Sequence, residues 1–188
     1  GADVNAKDEG NYTALMWASN KGYEDVVENL IWADADVDAA DDDGDTALMI
    51  ASKNGHAQVV EKLIWADADM DAKNNINHRT ALMYATIYGH TNIADLLLEQ
   101  VFLKTVEGGN IDDVEELLDQ GADAINAVDE LGATALIIAS KNGHEDVVET
   151  LIIKASANVN ATDNDGWTAL MWASNNGHED VVETLIIK

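Results

Sequence analysis

The chain has 188 residues, of which 36 are acidic and 10 are basic, so its formal net charge is -26. This charge argues against a protein that binds DNA, RNA or anionic membranes. The absence of cysteine excludes disulfides, thiolate metal sites and cysteine nucleophiles. Hydrophobic residues make up 47% of the chain, the level of a folded globular protein, and no apolar run approaches the roughly 20 residues of a membrane span. We therefore expect an acidic, folded protein of the cytoplasm or another intracellular compartment.

A seven-residue segment, Thr13-Ala-Leu-Met-Trp-Ala-Ser19 in its first copy, recurs along the chain. The spacings between successive copies are 33, 34, 54 and 34 residues. The threonines that open the copies are Thr13, Thr46, Thr80, Thr134 and Thr168. So regular a period indicates a solenoid of repeated units.

Each unit predicts two helices and a polar loop. In the first copy, Thr13 provides a side-chain oxygen for a helix start, and Gly22 follows that short helix as its end signal. A second helix carries an apolar stripe that begins at Val26 and ends at Ile31. Because one such unit cannot bury its own apolar face, neighbouring units must stack.

In chain order the units span about 1–37, 38–71, 72–99, 100–126, 127–160 and 161–188, and the fourth unit lacks its hairpin. The long spacing before Thr134 places the start of the fourth unit near Gln100, with Phe102 in the leucine position. Residues 91–106 contain neither Gly nor Pro, so the helices on either side of Gln100 can fuse into one. We favour one continuous solenoid with a local distortion at residues 98–102; the alternative is two short arrays joined end to end.

The repeat resembles the ankyrin repeat. The resemblance lies in Gly1-Ala-Asp-Val-Asn5, Asn54-Gly-His56, Val147-Val148 and Leu151-Ile152, and it covers nearly the whole chain. It implies an all-α, ankyrin-repeat α-solenoid of stacked helix-turn-helix units with connecting β-hairpin fingers.

The chain departs from the ankyrin pattern in the same way in every copy. The Thr-Pro-Leu-His signature of that family is Thr-Ala-Leu-Met or Thr-Ala-Leu-Ile here, and Asp34 and Asp67 stand where the family has glycine. An aspartate costs about 1 kcal/mol if it adopts a left-handed conformation there. Such uniform changes indicate recent internal duplication or design, and they suggest a thermostable array.

The histidines and the acidic loops are candidates for metal or catalytic sites. His56, His90, His144 and His178 occupy the same position in four copies, so neighbours lie about 10 Å apart, too far for one shared zinc ion. A structural role at the helix junction is favoured. The acidic loops lack the first and last ligands of an EF-hand, which leaves weak cation association as the alternative. We expect no enzyme activity, no cofactor and no bound metal.

The resemblance implies a protein-binding scaffold that uses the hairpin tips and the concave face of the first helices. The third unit is the most distinctive, because it has an extra loop residue, the only arginine, and Ile87-Tyr88 where other copies have polar residues. We therefore expect a protein partner, basic in character, to engage the third unit. The positions so implied are Tyr12, Asn20, Lys21, Asp43, Asp45, Lys53, Asn77, His78, Arg79, Ile87, Tyr88, Leu131, Lys141, Trp167 and Asn175.

Two sets of apolar residues leave alternatives open. Trp17, Tyr84 and Trp172 follow the Thr-Ala-Leu-Met motif, and they serve either packing or ligand contact. A lateral apolar row forms either an interface or a partly buried seam against the next helix. Its members are Trp32, Trp65, Leu98, Ile153 and Ile187.

An alternative function is a structural or stability-selected array, natural or designed, without a dedicated ligand. Both chain ends fall inside the repeat, so head-to-tail self-association through uncapped stacking faces is expected in that case.

Overall fold

The computed structural model describes residues 1–119 and 123–187, so Gln120, Gly121 and Ala122 of the predicted fourth unit, and Lys188 at the end of the sixth, lie outside the described residues. The described part forms eleven α-helices and one 3₁₀ turn, Asp123–Asn126. The helices are α1 Ala14–Lys21, α2 Glu24–Trp32, α3 Ala47–Asn54, α4 Ala57–Trp65, α5 Ala81–Tyr88, α6 Thr91–Gly108, α7 Ile111–Asp119, α8 Ala135–Asn142, α9 Glu145–Ile153, α10 Ala169–Asn176 and α11 Glu179–Ile187.

The first helix of each complete repeat begins and ends where the sequence predicts. The five repeated threonines are the N-caps, and each side-chain oxygen accepts a hydrogen bond of 3.3–3.4 Å from the N–H three residues later. The glycine that ends each of these helices is left-handed, as in Gly22 with φ 71° and Gly143 with φ 79°. Local capping chemistry therefore sets the ends of these helices.

The chain divides into two compact units, Gly1–Leu97 and Leu98–Lys188. The division falls inside α6, which is one continuous helix from Thr91 to Gly108. The segment without Gly or Pro has thus fused into a single helix, as its composition allowed.

Each unit has its own apolar core. In the first unit α1, α3 and α5 pack side by side in that order, α2 packs on α1 and α4 on α3, and Leu48 and Leu63 are fully buried. In the second unit α8 packs on α10 and α9 on α11, around Phe102, Leu136 and Leu151. Burying each such side chain contributes about 1.5–3 kcal/mol, which explains why the stripes predict the core well.

The predicted β-hairpin fingers are not confirmed. Within the described residues no strand forms, and the loops carry only isolated antiparallel bridges, at Lys7–Thr13, Ala40–Thr46, Val128–Thr134 and Thr162–Thr168. An aspartate side chain at the start of each of these loops accepts backbone N–H groups from later in the same loop. Those groups are therefore satisfied within the loop and do not extend a ladder.

Asp34 and Asp67 adopt the left-handed conformation, each with φ 60°. The cost of about 1 kcal/mol expected for that conformation in a non-glycine residue therefore applies at both positions. No helix in the described ranges is both long enough and apolar enough to cross a membrane.

Candidate functional site

Each loop is organised by one polar side chain at its base. Oδ1 of Asp41 accepts hydrogen bonds from the N–H groups of Asp43 and Asp45, at 3.0 and 2.8 Å. Asp8, Asp129 and Asp163 do the same in their own loops. In the third repeat Asn74 replaces the aspartate, and its oxygen accepts from Asn77 and Arg79, one residue later each time because that loop is one residue longer.

In two repeats an indole lies against this base. Trp17 donates from Nε1 to Asp8 at 3.2 Å, and Trp172 donates to Asp163 at 2.8 Å. The pKa of Asp8 is lowered chiefly by the N–H of Tyr12, and that of Asp163 chiefly by the N–H of Trp167, with the indoles contributing in both. These carboxylates are held in their charged form.

The second repeat lacks that donor, since Ile50 stands in the aromatic position. Burial raises the pKa of Asp41, and the neighbouring charges of Asp45 and Asp43 raise it further against the lowering effect of their N–H groups. The loop geometry is the same, but the negative charge of Asp41 is less favourable than that of Asp8 or Asp163.

The third repeat replaces the indole by Tyr84, whose hydroxyl joins two repeats. It donates to Asp45 Oδ1 of the preceding repeat at 3.1 Å and accepts from Asn74 Nδ2 at 2.9 Å. Burial, followed by the charge of Asp45, raises the pKa of Tyr84 to about 12. Tyr84 is a packing residue, whereas Trp17 at the same position is 50% exposed.

Asp45 was expected on an exposed tip, and the structure places it elsewhere. Its side chain is buried, and its carboxylate accepts a hydrogen bond from the Tyr84 hydroxyl. A partner cannot reach it without breaking that contact, because the hydroxyl of the next repeat lies over it.

Two cations lie over the Tyr84 ring. Lys53 Nζ is 5.5 Å from the ring centre and Arg79 Cζ is 5.8 Å from it, distances at which a cation is attracted to the ring face. The Tyr88 ring lies 6.3 Å from the same ring. The structure thus brings together four of the residues that the sequence singled out separately.

Beside this cluster the third repeat exposes an apolar surface. Ile87 is 54% exposed and Tyr88 is 51% exposed, both on α5. Ile76 in the loop and Met83 on α5 are exposed as well, and sequence reasoning missed both. The extra residue in the loop could have indicated that Ile76 is exposed. Nothing in the sequence distinguishes Met83 from Met16 and Met49, which occupy the same repeat position and are buried.

The other expected contact residues are mostly accessible. Tyr12, Asn20, Lys53 and Arg79 are half-buried, and Lys141 lies 4.8 Å from the centre of the Trp172 ring. The exposed ones are Lys21, Asp43, Asn77, His78, Leu131, Lys141, Trp167 and Asn175.

The residues of the lateral apolar row differ in their exposure. Trp32 and Trp65 are exposed in the first unit, and Ile153 and Ile187 are exposed in the second. Leu98 is half-buried and packs against the core of the second unit, so it offers little surface.

The four repeated histidines are structural, as predicted. Their Nε2 atoms lie 2.9–3.2 Å from backbone carbonyl oxygens of the preceding repeat, which fits a donating N–H at that nitrogen. Each ring also packs over a glycine: a Cβ atom at Gly22 would lie 2.6 Å from the His56 ring. Within the ranges that the structure describes, no three histidine or acidic side chains are placed to hold a metal ion.

Comparison with known families agrees with this architecture. A family model described as ankyrin repeats (3 copies) matches residues 15–106 and, a second time, residues 102–188. No curated protein matches the chain.

Proposed function

This chain belongs to the ankyrin-repeat family, and on that premise we propose that it is a non-enzymatic scaffold that binds a protein partner through its third repeat. Ankyrin repeats are generally protein–protein interaction modules.

The observation that carries the proposal is the exposed Ile87–Tyr88 pair beside an ordered group of cations. Interfaces concentrate their binding energy in a few aromatic, arginine and large apolar anchors at the centre of a patch. Here Arg79 and Lys53 are held over Tyr84, which is itself held by Asp45 and Asn74. A surface ordered before binding loses less conformational entropy when the partner arrives.

The charge of the chain supports a partner of basic character. With a net charge of -26, the protein attracts cationic proteins over a long range and accelerates their encounter. The partner's basic surface meets the acidic loops, and an apolar segment of it covers Ile87, Tyr88 and the nearby Met83. The acidic field accelerates association, while the apolar contact slows dissociation.

The test is affinity capture with the immobilised 188-residue chain, comparing wild type with Tyr88→Ala and with Arg79→Ala. Because a loss of about 1.4 kcal/mol lowers affinity tenfold, we expect each variant to lose at least about tenfold in retention of the specific partner. Asn142→Ala changes the position equivalent to Tyr88 in another repeat and serves as the matched control. Retention that is equal for wild type and both third-repeat variants would overturn the proposal.

A second measurement concerns the basic character of the partner. Raising NaCl to about 0.5 M screens charges beyond a few ångströms and should slow association markedly. An association rate that does not depend on salt would contradict the basic character of the partner. The use of the third-repeat surface is tested separately, by Tyr88→Ala and Arg79→Ala.

A further inference from the structure

The third repeat contains the longest part of the chain that is free of acidic side chains. Residues 72–94 include none of the 36 acidic residues, and the next longest such stretch, residues 46–60, is much shorter. The stretch covers the loop of the third repeat and the whole of α5, and it carries Lys73 and Arg79. Two repeats precede it and α6 follows it, so a chain of net charge -26 has an internal surface without carboxylates of its own.

The base of this loop has also lost its charge. Backbone N–H groups at the base of the other four loops are accepted by Asp8, Asp41, Asp129 and Asp163. Asn74 accepts the same kind of hydrogen bond here, from the N–H groups of residues 77 and 79. The amide oxygen keeps the turn, while the negative charge that repels an acidic ligand at the other loops is absent.

Two cations lie at this surface without an acidic partner. Lys53 Nζ is 5.5 Å and Arg79 Cζ is 5.8 Å from the centre of the Tyr84 ring. Within the residues that the structure describes, neither cation pairs with a carboxylate, whereas Lys62 pairs with Glu28. The positive charges of Lys53 and Arg79 are therefore available to a ligand.

The carboxylate that contacts this cluster is Asp45 of the preceding repeat, and it does not cancel both cations. It is buried, and it accepts the hydrogen bond of the Tyr84 hydroxyl at 3.1 Å. Even when its charge is counted in full, Lys53 and Arg79 leave one positive charge in excess. An incoming anion is therefore attracted to this point, although the chain as a whole is strongly acidic.

An acidic loop lies directly beside these cations. The N–H of Asn75 donates to the backbone carbonyl of Asp43 at 2.8 Å, so the loops of the second and third repeats are in contact. Asp43 is exposed. Negative and positive surfaces are thus adjacent, which suits a basic partner whose contact segment carries an acidic side chain.

Exposed apolar side chains on α5 border the cations. Ile87 and Tyr88 are both more than half exposed, and the Tyr88 ring lies 6.3 Å from the Tyr84 ring that the cations contact. A segment that pairs with Arg79 therefore brings its next side chains over Ile87 and Tyr88. The surface combines an anion-binding point with an apolar one.

We propose that the segment of the partner that binds the third repeat is both acidic and apolar. One of its carboxylates pairs with Arg79, Lys53 adds attraction, and an apolar side chain beside that carboxylate covers Ile87 and Tyr88. The inference rests on the proposed function of the third repeat, and it names the chemistry that is recognised there.

Two physical arguments favour Arg79 as the carboxylate anchor. A guanidinium can lie on an aromatic ring and still offer its in-plane N–H donors to a carboxylate in bidentate geometry. An acidic segment is also repelled by the aspartates at the bases of the other four loops, so like-charge repulsion directs it to the third repeat.

The experiment selects ligands for the immobilised 188-residue chain from a library of random short peptides displayed on phage. We expect the enriched peptides to carry aspartate or glutamate next to an aromatic or large aliphatic residue. The dissociation constant of the best synthetic peptide is then measured by fluorescence anisotropy against wild type and variants.

The variants separate charge from geometry. Arg79→Ala, Lys53→Ala and Tyr88→Ala should each weaken binding about tenfold or more, and Arg79→Lys should lose less than Arg79→Ala because it keeps the charge. Arg79→Glu should prefer a peptide in which the acidic residue is replaced by lysine. Lys7→Ala removes one positive charge from the first repeat and should bind like wild type, and circular dichroism checks that every variant is folded.

The outcomes distinguish this inference from the proposed function. Peptides that depend on Tyr88 but lack acidic residues, or acidic peptides that bind Arg79→Ala as tightly as wild type, would overturn the inference alone. A selection that gives no peptide dependent on Tyr88 would overturn both. If light scattering shows a dimer without peptide that Tyr88→Ala abolishes, a second copy occupies the surface and the inference is wrong.

Discussion

The loops at residues 41–45 and 163–167 have the same hydrogen bonds but opposite electrostatics. Asp41 and Asp163 each accept two backbone N–H groups, at 3.0 and 2.8 Å in both loops. Yet the pKa of Asp163 is lowered, chiefly by the N–H of Trp167, while burial raises the pKa of Asp41. Turn geometry alone therefore does not decide whether the charge at a loop base is favourable.

The difference comes from the neighbours of each carboxylate. Asp163 receives an additional hydrogen bond from the Trp172 indole, whereas the second repeat has Ile50 at that position and Asp41 lies close to the charge of Asp45. Asp45 in turn depends on Tyr84 of the following repeat. A repeat protein can thus conserve a turn while its electrostatics change from one copy to the next.

The largest expected effect comes from removing the hydrogen bond that Tyr84 of the following repeat donates to Asp45 in the 41–45 loop. Tyr84→Phe removes the hydroxyl and leaves the buried Asp45 and Asn74 side chains without that partner, so we expect a loss of about 1–3 kcal/mol in the free energy of unfolding, measured by urea denaturation. Trp17→Phe, at the same but exposed position, should cost less. Equal losses would show that burial at Tyr84 has no energetic role.

The same variant has a pH signature. The folded-state pKa of Tyr84 is about 12 against an ordinary tyrosine pKa of 10.0, so its contribution is present below about pH 10 and is lost as pH rises toward 12. Absorbance at alkaline pH should show a late-ionising tyrosine in wild type that is missing in Tyr84→Phe. A late phase that persists in the variant assigns it to another tyrosine.

The next effect is loss of the favourable charge in the 163–167 loop. Asp163→Asn removes a carboxylate whose pKa is lowered by folding, so the melting temperature at neutral pH should fall. The contribution is present above the unfolded pKa of 3.8 and is lost as pH falls through the lowered folded value. Wild type and variant should therefore converge in acid, and parallel curves at all pH values would contradict this assignment.

The matched change in the other loop should have the opposite sign and a smaller size. Asp41→Asn keeps the accepting oxygen, as Asn74 does in the third repeat, and removes a charge that burial disfavours. The raised pKa means that Asp41 stabilises the fold only in acid, and this is lost as pH rises through the folded value. We expect a slightly higher melting temperature at neutral pH, and a decrease would contradict the opposite roles of the two loops.

Salt provides the smallest test of the comparison. At about 0.5 M NaCl, screening of like charges should raise the melting temperature of wild type and shrink the advantage of Asp41→Asn. An unchanged melting temperature between low and high salt would argue that the excess carboxylates do not strain the fold.

Much of the fold could be predicted because it depends on neighbours in sequence. The threonine caps and the left-handed glycines follow from residues within about one helical turn, and the fused helix α6 follows from the absence of Gly and Pro over residues 91–106. The histidine positions also led to the right structural role, since a regular period sets their distance. The β-hairpin fingers were not confirmed in the described residues, where the aspartates of the loops accept backbone N–H groups that a ladder needs.

The candidate surface was only partly predictable. The third repeat stood out through Arg79, Ile87 and Tyr88, but the burial of Asp45 and the exposure of Met83 had no local signal. Both depend on which residues of another helix lie against them.

By itself, the sequence determined the repeat, the ends of its helices and the apolar stripes, because capping and periodicity act over a few residues. Only the tertiary structure decided that Tyr84 is a buried link while Trp17 is an exposed aromatic, although the two occupy the same position. The physical reason is that the burial of this position, and with it the raised pKa of Tyr84, depends on the neighbouring repeat and not on the residue's own repeat.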